Sequence, residues 1–225
     1  MKDRRLFFRI LGGLLVGCLV MAWVDGSLRP GYGVKSCIKL LLFSGLAWGL
    51  YFRGHPGESA ALFRRGPGLK RGLLGGAGVS ALILGGYALL APVLDLSQVA
   101  PSLEADLGVT AGNFLWVALY ISLVNSLLEE FFFRGFGFLI LSRACSTVVA
   151  SLVSAALFAL YHVAMMVGWV AWPVLVLAIL GLLAAGLLFN ELDRRTGSLW
   201  TSWLIHLGAN VSINAVGFLL LNQLQ

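Results

Sequence analysis

Seven long apolar runs separated by short polar segments constrain this sequence more than any other feature. A helix that crosses the hydrocarbon of a bilayer needs about 20 mostly apolar residues, and 59% of the chain is hydrophobic. Inside lipid each segment must satisfy its own backbone N–H and C=O groups, which favours helices over open strands. The sequence therefore predicts an all-α, multi-spanning membrane bundle whose seven helices cover residues 6–24, 34–52, 72–94, 114–141, 147–168, 172–189 and 199–221.

The basic residues predict how this bundle lies in the membrane, because cytoplasmic loops are enriched in Lys and Arg. With the N-terminus inside, the only basic residues on the opposite face are Arg29, Lys35 and Lys39. A predicted loop on that face contains no Lys or Arg but three acidic residues, Asp95, Glu104 and Asp106. The pattern therefore predicts an N-terminus in the cytoplasm and a C-terminus on the opposite face. The basic residues predicted to be cytoplasmic are Lys2, Arg4, Arg5, Arg9, Arg53, Arg64, Arg65, Lys70, Arg71, Arg143, Arg194 and Arg195.

The net charge of +6 raises the question of an acidic partner. The Lys and Arg residues are spread over separate loops rather than gathered in one basic domain. This distribution favours anionic lipid headgroups and argues against nucleic acid. The cysteines form no C-x-x-C pair and lie in or near apolar runs, which predicts buried thiols rather than a disulfide framework for Cys18, Cys37 and Cys145.

Glycines cluster at positions 12–13, 75–78 and 85–86, inside predicted spans. Small residues let membrane helices approach closely, so these clusters predict tight helix packing. They are not accompanied by a Walker-type or dinucleotide-binding pattern, and we therefore do not interpret them as phosphate loops.

Three ionisable residues, Glu129, Glu130 and Arg134, interrupt the apolar run LLEEFFFRGF in the fourth predicted span. A charge near the middle of a bilayer costs at least about 2.5 to 3.5 kcal/mol, so these side chains must find partners or water. Glu130 and Arg134 stand at i and i+4 in the favourable order for an ion pair, whereas Glu129 points about 100° away on the helix. The two carboxylates are thus predicted to have different environments, one structural and one reactive.

Two of the three histidines, His162 and His206, also fall within predicted spans. Phe158 lies one helical turn before His162, and Asn210 lies one turn after His206, so each pair shares a helix face. An imidazole and an amide on one face can both donate hydrogen bonds toward one point, as stabilisation of an oxyanion requires. The alternative is that His206 and Asn210 simply join neighbouring helices by hydrogen bonds.

These three motifs, E-E-x-x-x-R, F-x-x-x-H and H-x-x-x-N, resemble those of CPBP proteins in order and spacing. That family contains type II CAAX prenyl endopeptidases and bacteriocin-processing or immunity-related intramembrane proteases. The resemblance covers the last four spans and predicts a CPBP-like catalytic core over residues 114–221. Residues 1–95 are predicted to add N-terminal spans to the same single membrane domain, residues 1–225.

The resemblance implies a glutamic-type intramembrane endopeptidase. By position, Glu129 would be the general base, acting with His162 to activate a water molecule. His206 and Asn210 would form the oxyanion hole. Three further residues would hold the fourth helix in register or pack the site: Glu130, Arg134 and Phe158.

A cofactor is not expected, although one metal alternative stays open. Glu129, His162 and His206 could supply a His₂Glu zinc site. The helical H-E-x-x-H pattern of zinc proteases is absent, however, and Asn210 fits an oxyanion donor better than a metal ligand.

Two other classes of function remain open from the residues alone. Buried Glu, His and Arg also serve proton relays in transporters and channels, although no inverted repeat supports that class. A non-catalytic membrane partner, such as an immunity protein, is the other alternative.

The compact size and the high content of Gly, Leu, Ala and Arg are typical of a bacterial protein. They predict that the protein lies in the bacterial cytoplasmic membrane. The expected substrate is a membrane-anchored protein or peptide. Removal of a C-terminal sorting tail, as by myxosortase-like enzymes, is the preferred hypothesis, and maturation of a bacteriocin or pheromone is the alternative.

Overall fold

The computed structural model describes residues 3–64 and 68–222, and within those ranges it contains helices and connecting segments but no strand. Among these described residues, seven helices are long and apolar enough to cross a membrane, so the predicted all-α membrane bundle is confirmed. Two predicted cytoplasmic residues, Lys2 and Arg65, lie outside the described ranges. The helices, of which α3 and α5 are short, are α1 (Arg4–Leu28), α2 (Tyr32–Leu50), α3 (Pro56–Ala61), α4 (Gly68–Leu90), α5 (Val99–Leu107), α6 (Phe114–Ala144), α7 (Thr147–Met166), α8 (Trp172–Thr196) and α9 (Trp200–Asn222).

The largest shift at a single predicted boundary is at the end of the sixth span, because α8 continues past residue 189 to Thr196. Glu191 pairs with Arg194 and Arg195, one helical turn later, at 2.7 and 2.5 Å. Such i,i+3 and i,i+4 ion pairs stabilise the last turns of the helix, which lie beyond the apolar run. The helix then ends at Gly197, whose φ of 66° is readily adopted only by glycine.

Helix α6 lies at the centre of the bundle and contacts α1, α2, α7, α8 and α9. Phe132 and Phe133 of α6 are buried: Phe132 stacks on Phe43 of α2 with ring centroids 4.1 Å apart, and Phe133 meets Phe158 of α7 edge-on at 5.4 Å. A Cβ at Gly17 of α1 would lie only 2.7 Å from the Phe132 ring. This packing encloses the charged segment of α6 on several sides.

Helix α4 packs along α9 through glycines that allow the two backbones to touch. A Cβ at Gly76 would lie 2.8 Å from the carbonyl oxygen of Leu204, and one at Gly208 would lie 2.7 Å from that of Gly76. Close packing is thus confirmed for Gly76, whereas Gly78 and residues 85–86 have no such neighbour within 4 Å. Glycine clustering predicted the contact but not which members make it.

One end of the bundle gathers the start of α1, the end of α2 and the end of α6. The backbone N–H of Asp3 donates to the carbonyl of Ala144 at 3.2 Å. Arg143 pairs with Glu58 of α3 at 2.7 Å, and Tyr51 donates to the same carboxylate at 2.9 Å. Segments that carry several of the predicted cytoplasmic basic residues therefore lie at the same end.

The three cysteines form no disulfide, as expected, but one of them is not buried. Cys18 and Cys145 lie in the interior, whereas Cys37 on α2 is exposed on the surface of the bundle. The prediction of a buried thiol was wrong for Cys37, because an apolar run does not reveal which face of its helix meets the other helices.

Candidate active site

The charged segment of α6 is buried, and its predicted ion pair is confirmed. Glu129, Glu130 and Arg134 are 2%, 0% and 0% exposed. Nε of Arg134 lies 3.3 Å from Oε2 of Glu130. The guanidinium also lies over the Phe158 ring, 3.9 Å from its centroid, and within 5.2 Å of the Phe189 ring. Aromatic faces attract a desolvated cation, so both rings stabilise the Arg134 guanidinium in addition to its attraction to Glu130.

Glu130 also orients His206, a contact that the sequence did not predict. Nδ1 of His206 lies 2.7 Å from Oε1 of Glu130. The hydrogen on Nδ1 is assigned as the donor to this carboxylate, which turns the other ring nitrogen in the opposite direction. Nε2 of His206 consequently lies 3.7 Å from Oε2 of Glu129.

His162 approaches the same oxygen from α7. Its Nδ1 lies 2.7 Å from the carbonyl oxygen of Phe158, to which it donates, and its Nε2 lies 4.0 Å from Oε2 of Glu129. The Phe158 ring meets both imidazoles edge-on, with centroids 4.8 Å from His162 and 5.9 Å from His206. The structure thus brings Glu129, His162, His206 and Phe158 together from three helices.

The other oxygen of Glu129 has two partners that sequence reasoning missed. Lys39 of α2 forms a buried ion pair and hydrogen bond with Oε1, and Asn125 donates to the same oxygen at 3.2 Å. Lys35 and Lys39, which sequence reasoning used only to predict the orientation of the bundle, are both buried in α2, at 8% and 4% exposure. A lysine well inside an apolar run was the available signal, since such residues are rare in spans and need a partner.

Asn210 lies on the same face of α9 as His206, but its amide faces a different partner. Nδ2 of Asn210 donates to the carbonyl oxygen of Ile121 on α6 at 3.2 Å. The predicted convergence of Asn210 and His206 on one point is therefore not formed in this structure. The hydrogen bond instead joins α9 to α6. This matches the alternative in which polar residues hold neighbouring helices together.

The set of residues considered for zinc, Glu129, His162 and His206, is assembled around one carboxylate oxygen. Within the described residues, however, no group of three or more His, Cys, Asp or Glu side chains is arranged to hold a metal ion. The Lys39 ammonium on Glu129 also opposes a dication, because like charges repel strongly where water is scarce. The donor set therefore fits a metal poorly in this arrangement.

The fold and the site together define a class of protein. This is a polytopic membrane protein whose helices enclose a site of two carboxylates and two imidazoles. Residues 111–212 match the model of the family described as type II CAAX prenyl endopeptidase Rce1-like. The resemblance predicted from the three motifs is thereby confirmed. The family matched by this segment is one of intramembrane CAAX-type endopeptidases, so the match implies that class of protease. Comparison with curated proteins and with solved structures gave no match.

Proposed function

We propose that this protein is an intramembrane endopeptidase that hydrolyses a peptide bond near the C-terminal tail or membrane segment of a protein substrate. The observation that carries the proposal is the convergence of two imidazole Nε2 atoms on one carboxylate oxygen, at 3.7 and 4.0 Å. A buried carboxylate is costly inside a membrane, and here Oε2 of Glu129 faces two imidazoles that can help to activate a water molecule.

Glu129 and His162 can hold a water molecule between them. Their separation of 4.0 Å is too long for a direct hydrogen bond and short enough for one water to bridge both atoms. With Nδ1–H donated to Phe158, Nε2 of a neutral His162 accepts one water hydrogen, and Oε2 of Glu129 accepts the other. The water lone pair is then directed away from both groups, toward a substrate carbonyl. Glu129 takes the proton as the bond to carbon forms, and later delivers it to the leaving amine.

His206 and Asn210 are proposed to stabilise the oxyanion that this attack creates. An imidazolium at His206 would donate from Nδ1 to Glu130 and from Nε2 to the developing negative charge. Asn210 must exchange its bond to Ile121 for one to the oxyanion, a side-chain rotation on a fixed helix. The predicted oxyanion hole thus requires a bound substrate for its completion.

Asn210→Ala is expected to lose most of its kcat while KM changes little. Removing one oxyanion donor costs about 2.7 to 4 kcal/mol in a well-studied protease, and the bond is used chiefly when the carbonyl becomes tetrahedral. Asn210→Asp should lose more activity, because it replaces the donor with a negative charge. The measurement is steady-state cleavage of an internally quenched peptide by detergent-purified variants of matched thermal stability.

Asn214→Ala is the control, because Asn214 lies one turn further along α9 and donates to Ser122 at 3.2 Å. It removes a comparable interhelical hydrogen bond and should leave kcat close to wild type. A raised KM with intact kcat in Asn210→Ala would place Asn210 in substrate binding instead.

Chelation separates the proposed mechanism from the zinc alternative. We expect purified enzyme to keep its activity after treatment with a strong chelator, and to contain less than stoichiometric zinc by metal analysis. Loss of activity on chelation, restored by adding zinc, would replace the water-activating carboxylate mechanism with Lewis-acid catalysis.

The substrate class and the membrane orientation are further parts of this proposal. Basic segments gathered at one end of the bundle support a cytoplasmic N-terminus in a bacterial inner membrane. A C-terminal sorting tail, processed as by myxosortase-like enzymes, is the substrate that we favour. A comparison of membrane proteomes between a knockout strain and its parent should reveal such proteins with uncleaved C-termini.

A further inference from the structure

We propose that Lys39 is a positioning residue for Glu129, through which the N-terminal spans take part in catalysis. This inference rests on the proposed function of Glu129 and names a residue outside the segment that matches the family, residues 111–212. It also gives a role to α2, whose sequence carries none of the three motifs.

The contacts of Lys39 are confined to one edge of the site. Its ammonium reaches Oε1 of Glu129 and the side-chain oxygen of Asn125, which in turn donates to the same Oε1. The ring centroids of Tyr161 and Phe43 lie 5.0 and 5.6 Å from the ammonium. Two donors on one carboxylate oxygen restrict rotation of the whole group.

This restriction determines which oxygen is free for chemistry. With Oε1 held by Lys39 and Asn125, Oε2 is the atom that faces His162 and His206. A cation that only neutralised Glu129 could contact either oxygen. Lys39 contacts the one turned away from the histidines, and therefore orients the carboxylate as well as balancing its charge.

Lys35 provides a matched control on the same helix. It lies one turn before Lys39, is also buried, and pairs with a different carboxylate, Asp25, at 2.6 Å. Lys35→Met and Lys39→Met each remove a buried ammonium and leave one carboxylate without its cation. A general loss of stability should affect both variants, whereas misplacement of Glu129 should affect only Lys39→Met.

The test measures kcat and KM for Lys39→Met, Lys39→Arg and Lys35→Met in detergent. The probe is an internally quenched, prenylated peptide that ends in Cys-aliphatic-aliphatic-X. A displacement of about 1 Å at a reacting group can lower the rate about 10²-fold, so we expect a loss of that order in kcat for Lys39→Met, with KM little changed. Lys39→Arg should recover part of this loss because it keeps a donor and a charge at Oε1. Lys35→Met should keep the wild-type kcat.

A thermal-unfolding cycle gives a second readout that does not depend on turnover. Lys39→Met should lower Tm in the wild-type background and lower it much less in Glu129→Gln, because the carboxylate that it leaves unpaired is then absent. Lys35→Met should lower Tm equally in both backgrounds.

Two results would overturn the inference: a kcat for Lys39→Met no lower than that for Lys35→Met, or additive effects of Lys39→Met and Glu129→Gln on Tm. Failure of the proposed function has a different signature. In that case Glu129→Gln would cleave the probe as wild type does, or wild type would cleave neither this probe nor a tail peptide. The coupling between Lys39→Met and Glu129→Gln in Tm would persist in either case.

Discussion

Glu129→Gln is expected to remove most of the turnover while the protein stays folded and binds its substrate. General acid–base catalysis contributes about 10² to 10⁴-fold to a rate, and the amide cannot accept the proton of the attacking water. The substitution preserves size, and a glutamine oxygen can still accept from Lys39 and Asn125. The loss should therefore appear in kcat, measured with purified variants against the same quenched peptide.

Glu191→Gln is the control for this prediction, because Glu191 is an exposed carboxylate whose partners are Arg194 and Arg195. Its turnover should match that of wild type. If Glu129→Gln kept full activity, Glu129 would not be the base, and the mechanism proposed here would have to be abandoned.

Arg134→Ala is expected to cause the largest loss of stability, about 3 to 5 kcal/mol, because it strands the buried carboxylate of Glu130. Arg134 is fully buried, and its guanidinium lies against the rings of Phe158 and Phe189. Removal of this side chain therefore also leaves a cavity beside the site. Thermal unfolding in detergent is the measurement.

Arg194→Ala removes an exposed pair with Glu191 and serves as the control, with an expected Tm close to that of wild type, because exposed ion pairs contribute little to stability. A variant of Arg134 that melted like wild type would show that the pair with Glu130 does not contribute to folding. Because Glu130 also orients His206, we expect the surviving folded fraction of Arg134→Ala to have a lowered kcat as well.

The sequence alone was sufficient for interactions that lie within one helix. The ion pair between Glu130 and Arg134 follows from helical geometry, which places i and i+4 side chains next to each other wherever the helix is located. The number of spans likewise follows from apolar length, which the bilayer thickness sets. Phe158 and His162 share a face for the same local reason.

Contacts between distant helices were decided only by the tertiary structure. Lys39 and Glu129 are 90 positions apart, and His206 and Glu130 are 76 apart, so no periodicity relates either pair. Which faces of α2, α6 and α9 meet depends on how aromatic rings and glycines pack along their whole lengths. The same packing brings the Asn210 amide to the carbonyl of Ile121, which helical spacing on α9 could not reveal. In this protein the sequence determined which charged groups enter the membrane, and the packing of the helices decided which of them meet.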